Sequence, residues 1–180
     1  MKFIETKLKG AYVIEIEQIS DDRGFFARSW CQQEFIDLGL NPNLVQSNIS
    51  FNTKKATLRG MHYQAKPHEE AKLVRCTRGS IYDVIIDIRP DSASFKSWFA
   101  IELSAENWKA LYIPEGFAHG FQTLEDNTEV FYQMSVSYHP ESSKGFRWDD
   151  PTVAIDWLLT EDLIISLKDR QYPLFEGLRL

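Results

Sequence analysis

AKLVRCTRGSIYDVIIDIR, residues 71–89, decides the fold class. Two strand-patterned segments, 72–77 and 81–89, carry β-branched and aromatic residues, and Arg78-Gly79-Ser80 separates them as a turn. The same unit recurs outward in both directions. Strand patterns lie near 44–52, 57–64, 95–103, 110–114, 117–124 and 129–138, with turn residues at Lys54-Lys55, Pro90-Asp91-Ser92 and Glu125-Asp126-Asn127. Before the Asn41-Pro42-Asn43 break, residues 11–17 (AYVIEIE) read as a strand, Asp21-Asp22-Arg23-Gly24 as a turn, and Phe25 to Trp30 as a further strand. CQQEFIDLG, residues 31–39, predicts the one interior helix, with Phe35 and Leu38 on one face and Gly39 as its stop. From Asp150 the pattern is less regular, with a short helical stretch around 160–166. About ten strands and one short helix predict an all-β antiparallel sandwich or barrel. No G-x-G-x-x-G follows a strand and no P-loop is present, which argues against a resident dinucleotide or ATP site.

The 180 residues fit a single domain spanning 1–180, and 43% hydrophobic with 26% charged residues is ordinary for a globular protein. A net charge of −6 argues against a general nucleic-acid binder or a protein held on anionic membranes. An anionic small ligand needs only a few well-placed basic side chains. Cys31 and Cys76 are far apart and form no C-x-x-C pair, so a zinc ribbon, a redox dithiol and a disulfide framework are unsupported. No window approaches the roughly 18 apolar residues of a membrane helix. The segment MKFIETKLKGAYVIEIE has no uninterrupted signal-type apolar core, so the expected location is the cytoplasm.

Several strands put polar groups on one face. In 44–52, Gln46, Asn48, Ser50 and Asn52 share a side, and Val45, Ile49 and Phe51 share the other. Gly60, His62 and Gln64 share a side of 57–64, and Val130, Tyr132, Met134, Val136 and Tyr138 share a side of 129–138. Such faces suit either a solvated surface or the wall of a ligand cavity.

Among the four histidines, His62 lies in LRGMHYQ and His119 in IPEGFAHGF. Two chemistries compete for this pair. One is a metal site, because Pro114-Glu115-Gly116-Phe117-Ala118-His119 has the Pro-x-Gly-x-x-His shape of the second motif of cupin barrels. Gln64, however, stands where the first cupin motif has its second His, leaving two imidazoles and a doubtful carboxylate. The other is proton abstraction beside a carbonyl, with His62 as base, Asp169 orienting it, Tyr132 as acid and Lys72 as a cation near the oxyanion.

The chain resembles the dTDP-4-dehydrorhamnose 3,5-epimerase family along nearly its whole length. The matching stretches are DDRGFF (21–26), QSNIS (46–50), LRGMHYQ (58–64), AKLVRCTRGSIYDVIIDIR (71–89), YIPEGFAHGF (112–121), VFYQMSVSY (130–138), WDDP (148–151) and SLKD (166–169). The resemblance implies a jelly-roll cupin that works as a homodimer, needs no metal or other cofactor, and epimerises a nucleotide-diphosphate-linked 4-keto-6-deoxy sugar at C3 and C5. By position, it implies His62 as base supported by Asp169, and Tyr132 as acid. It implies Gln46, Asn48, Arg59, Lys72 and His119 as substrate contacts and Tyr138 as the aromatic stacked on the nucleobase. Lys168 and Arg23 would bind the nucleotide, Arg23 from across the dimer. Three positions depart from the family pattern: Arg28 and Ser143 stand where acidic residues are usual, and Glu70 stands where Gln is usual. Glu141 is placed to substitute at the second of these. The departures leave open a CDP-linked substrate, and the residues alone leave open epimerisation at one carbon or a metal-dependent cupin built on His62 and His119.

Overall fold

The computed structural model describes residues 1–177. Its strands are β1 (Lys2–Glu5), β2 (Tyr12–Glu15), β3 (Ile19–Asp21), β4 (Gly24–Phe26), β5 (Gln46–Asn52), β6 (Thr57–Gln64), β7 (Lys72–Arg78) and β8 (Ser80–Asp87). They continue with β9 (Trp98–Ser104), β10 (Ala110–Ile113), β11 (Phe117–Thr123), β12 (Thr128–Met134), β13 (Ser143–Gly145) and β14 (Ile164–Ile165). Two short helices, α1 (Gln32–Asp37) and α2 (Leu167–Arg170), and one 3₁₀ turn complete the described residues. One sheet runs β1-β2-β10-β7-β12-β5 and the other β13-β6-β11-β8-β9, with β14 added to β6. All pairs are antiparallel except β14 with β6. This is the expected jelly-roll sandwich with a few short helices.

The stretch that decides the fold class does so at a corner. β7 and β8 do not pair with each other: Gly79 carries the chain from one sheet to the other. Its φ is +72°, and a Cβ there would lie 2.5 Å from Thr128 Oγ1, so the corner admits glycine alone without rearrangement. Val74, Cys76, Leu111 and Val130 of one sheet meet Ile81, Ile85, Leu103 and Phe121 of the other in the inter-sheet core. Val84 and Ile86 point the opposite way, into a second core closed by Phe146, Val153, Trp157 and Phe175 of the C-terminal segment. With both faces covered, β8 reads as a near-continuous apolar run rather than an alternation. The first sheet has its own cover, where Phe35 of α1 packs on Ile14, Leu73 and Tyr112. Among the described residues no helix is long and apolar enough to cross a membrane.

Several expected boundaries move. The strand expected from Phe25 to Trp30 ends at Phe26, and the one over 129–138 ends at Met134. The latter stops where Ser135 N–H turns to the Ala71 carbonyl and leaves the β5 ladder. Helical structure is absent from 160–166: Ile164–Ile165 adds a strand to β6, and the helix starts one residue later because Ser166 caps it, accepting from Asp169 N–H. Phe35 is buried as expected, but Leu38, past the end of α1, is exposed.

Candidate active site

A cavity of about 480 Å³ opens between β5, β12 and β7 of one sheet and β6 and β11 of the other, with α2 on its rim. Alternation supplies its walls. Gln46, Asn48 and Ser50 point in from β5, and Tyr132 and Met134 from β12, whereas Val45, Ile49 and Phe51 point out to solvent. The polar face of β5 is thus the cavity wall and the apolar face is the outer one.

β6 departs from strict alternation. His119 pairs with His62 but Phe121 pairs with Arg59, so β6 spends three steps where β11 spends two. The extra residue sits at Gly60, whose φ is +143° and whose Cβ would lie 2.6 Å from Gly120 Cα. This bulge reverses the pleat, and Arg59 and His62, an odd number of residues apart, both reach the cavity. Regular alternation from His62 would have sent Arg59 to the other face.

His62 Nε2 lies 2.8 Å from Asp169 Oδ1. Because a carboxylate only accepts, it holds the proton on Nε2 and leaves Nδ1 as the basic nitrogen. Asp169 is 4% exposed, sits in α2 behind the Ser166 cap, and also accepts from Gly60 N–H. Burial pushes its carboxyl up, but the His62 hydrogen bond and charge, with the Gly60 amide, outweigh this and hold it below the ordinary value. Beside it, His119 Nε2 lies 2.7 Å from Asp83 Oδ1, a residue with no exposure at all. Tyr132 faces this pair from the opposite sheet. Its phenol is pushed up chiefly by burial, opposed by Arg59 and reinforced by Glu70.

The cations are arranged unequally. Arg59 Nε donates to Asn52 Oδ1 at 2.8 Å and has no acid partner among the described residues. Lys72 Nζ lies 2.9 Å from Glu70 Oε1. Lys168 sits over the Tyr172 ring, and the neighbouring phenol raises its pKa. Tyr138 stands half-exposed at the mouth, its N–H held by Gln46 Oε1 at 2.8 Å.

The cavity therefore brings together His62, Tyr132, Asp169, Gln46, Asn48, Arg59, Lys72, His119, Tyr138 and Lys168. Arg23 stands apart: it belongs to the exposed β3–β4 hairpin, bound to Asp21. Ser143 and Glu70 line the cavity, whereas Arg28 is paired with Glu34 of α1 at 2.6 Å. Glu141 does not take the place of an acidic residue at 143. It turns instead to His139, 3.0 Å away, and to His68, whose ring stacks on that of His139. His68, His139 and Glu141 are the metal-spaced cluster among the described residues, and it includes neither His62 nor His119.

Sequence reasoning missed Asp83 and Tyr172. Asp83 carried a signal, an acid set among Ile81, Tyr82, Val84 and Ile85, whose buried charge demands a partner. Tyr172 carried none, since the turn after α2 alone brings its ring edge-on to His62, with centroids 5.8 Å apart.

Residues 5–177 match the family model described as dTDP-4-dehydrorhamnose 3,5-epimerase. The dTDP-4-dehydrorhamnose 3,5-epimerase of Escherichia coli K12 is 45% identical over 182 aligned positions, covering 100% of this chain and 98% of that protein. The crystal structure of the Elizabethkingia anophelis enzyme of that name superposes with a TM-score of 0.95 at 40% identity, covering 98% of this chain and 97% of that one. A Legionella pneumophila dTDP-6-deoxy-D-glucose-3,5-epimerase, solved in complex with dTDP-4-keto-L-rhamnose, gives 0.93 at 37% identity, covering 99% and 94%.

Proposed function

The chain belongs to the dTDP-4-dehydrorhamnose 3,5-epimerase family, and on that premise we propose the division of labour by which its cavity works. The protein is an isomerase of nucleotide sugars and catalyses the 3,5-epimerisation of a dTDP-linked 4-keto-6-deoxyhexose. In this reading, the 4-keto group acidifies the C–H bonds at C3 and C5. His62 Nδ1 takes the proton from one face of the ring, and Asp169 stabilises the imidazolium that forms. The electron pair moves into an enolate at O4, with the Lys72 ammonium beside it. Tyr132 then returns a proton to the same carbon from the facing sheet, which inverts it. Once solvent has taken the proton from His62 and returned one to Tyr132, a ring shift presents the second carbon to the same two groups.

The observation that carries this reading is the opposition itself: His62 on one sheet, backed by the Asp169 carboxylate of α2, and a half-buried phenol on the other sheet, across one cavity. Gln46, Asn48 and His119 are then the sugar contacts, with Arg59 and Lys168 toward the diphosphate and Tyr138 on the base at the mouth. Arg23 completes the nucleotide site from a second copy in a homodimer. Its own hairpin is almost wholly exposed, with Ile19, Phe25 and Phe26 turned outward.

Deuterium incorporation from D₂O into the dTDP-linked 4-keto-6-deoxyglucose, followed by NMR, tests the assignment. Exchange at both C3 and C5 is expected in the wild type. Each of His62→Asn and Tyr132→Phe should lose roughly 10²–10⁴-fold in turnover while keeping the fold. Full exchange at either carbon in His62→Asn would remove His62 as the base.

A further inference from the structure

Glu70 is buried, with 3% of its side chain exposed, yet it lines the cavity. Its two carboxylate oxygens are used differently. Oε1 holds Lys72 Nζ at 2.9 Å, while Oε2 is shielded from solvent and accepts no hydrogen bond from any described residue. A buried acceptor left in this state costs stability that a donor would restore, and the cost is larger for a charged group. The terminal torsion of a glutamate is broad, so a modest rotation turns this oxygen toward the cavity without breaking the backbone frame. A ligand in the cavity can supply that donor.

Three features say which donor. Lys72 is neutralised by Glu70, so this part of the wall is close to net neutral and suits the uncharged sugar better than the diphosphate. Glu70 also lines the same cavity as Tyr132, the group proposed to reprotonate the carbons being inverted. Finally, the donors a 4-keto-6-deoxyhexose can offer there are its ring hydroxyls at C2 and C3.

Resting on the reading of the cavity given above, we propose that Glu70 is a specificity-determining residue: Oε1 positions Lys72, and Oε2 accepts a hydrogen bond from a ring hydroxyl of the bound hexose. The site thereby selects a sugar that keeps that hydroxyl over its deoxy analogue. A site built to accept from a hydroxyl is left with an unpaired polar group when the hydroxyl is missing, which is the strong direction of discrimination.

The test is the rate of solvent exchange at C5, a carbon common to the dTDP-linked 4-keto-6-deoxyglucose and its 2-deoxy and 3-deoxy analogues. In the wild type one analogue should lose roughly 10- to 100-fold in kcat/KM relative to the parent, the scale of one hydrogen bond to a charged acceptor. In Glu70→Met that penalty should fall below about threefold, whatever the variant does to the absolute rate through Lys72. Glu70→Gln keeps the shape without the charge and should shrink the penalty at least threefold, which serves if the Met variant does not fold. A merely structural Glu70 would change rates without changing the ratio between sugars. An unchanged ratio in the variants, or no penalty for either analogue in the wild type, would overturn the inference alone. Absence of exchange with the parent in the wild type would overturn the proposed function, and this inference with it.

Discussion

Two imidazoles face the cavity, each held at Nε2 by a buried carboxylate, and their difference lies in access. The side chain of His62 is 39% exposed and that of His119 is 11% exposed, so His62 is the one a substrate C–H can reach. The carboxylate behind it is ionised across the working range. The pKa of Asp169 is depressed, so the stability it contributes is complete above the ordinary carboxylate value and is lost only as pH falls through the lower folded value. At neutral pH Asp169→Asn should therefore both destabilise the protein and slow turnover, the latter on the order of 10²–10⁴-fold because the imidazole loses its tautomer and its countercharge. Tyr132 is shifted the other way. Its pKa is raised above the ordinary tyrosine value of about 10, so the phenol stays protonated, and able to donate, to beyond that pH. A pH–rate profile should accordingly show no alkaline limb from Tyr132 below about pH 10. A limb below pH 9 that disappears in Tyr132→Phe would contradict the acid assignment.

Gly60 shows how one element sets the geometry of the site. The bulge it permits aims Arg59 and His62 into the same cavity, and Gly60 N–H reaches Asp169 Oδ2 at 3.4 Å. A side chain there meets two obstacles, a positive φ and the Gly120 backbone at 2.6 Å. Gly60→Ala should cost about 1–3 kcal/mol in a denaturant or thermal unfolding experiment. It should also lower turnover more than mutations of equal stability cost in the second core, because it swings Arg59 relative to His62. Equal activity at equal stability would show that the bulge serves packing alone. Elements of this kind mark the limit of what the chain reveals when read as sequence. Strand identity was legible because β-branched runs end in turn residues, and both strands of the 71–89 stretch are present, with Gly79 alone between them where a three-residue turn is expected. Its destination was not legible: nothing in Arg78-Gly79-Ser80 distinguishes a hairpin from a corner between sheets. The bulge was invisible for the same reason, since pleat alternation carries Gly60, His62 and Gln64 together and sends Arg59 away. Arg59 entered the expected site only through family resemblance.

At the scale of the whole molecule, an acidic protein gathers Arg59, Lys72 and Lys168 into one cavity and leaves Arg23 outside it. The polar faces of β5 and β6 were legible as cavity or solvent, and only the packing of the two sheets decides for the cavity. The same packing leaves a surface that no element of the described chain covers. Helix α1 shields one end of the first sheet and the C-terminal segment shields the second sheet. Ile49 and Phe51 of the edge strand β5 remain exposed with Val45 just before it, as do Ile19 and Phe26 of the hairpin that carries Arg23. An open edge strand with an apolar outer face is a site for pairing with another chain. In the proposed homodimer that chain is a second copy, and its hairpin delivers Arg23 to the neighbouring cavity. Ile49→Glu, at a position 65% exposed, should leave the protomer folded but shift the mass measured by light scattering from dimer to monomer. Mixing two inactive variants makes the stronger test. Arg23→Ala and His62→Asn each spoil both sites of their own dimers. In a mixed dimer, one cavity holds His62 from the first variant and Arg23 from the second, and is whole. Activity that rises on mixing above the sum of the two parts is therefore expected. If Arg23 served its own protomer, every cavity in the mixed dimer would keep a defect, and no recovery would follow.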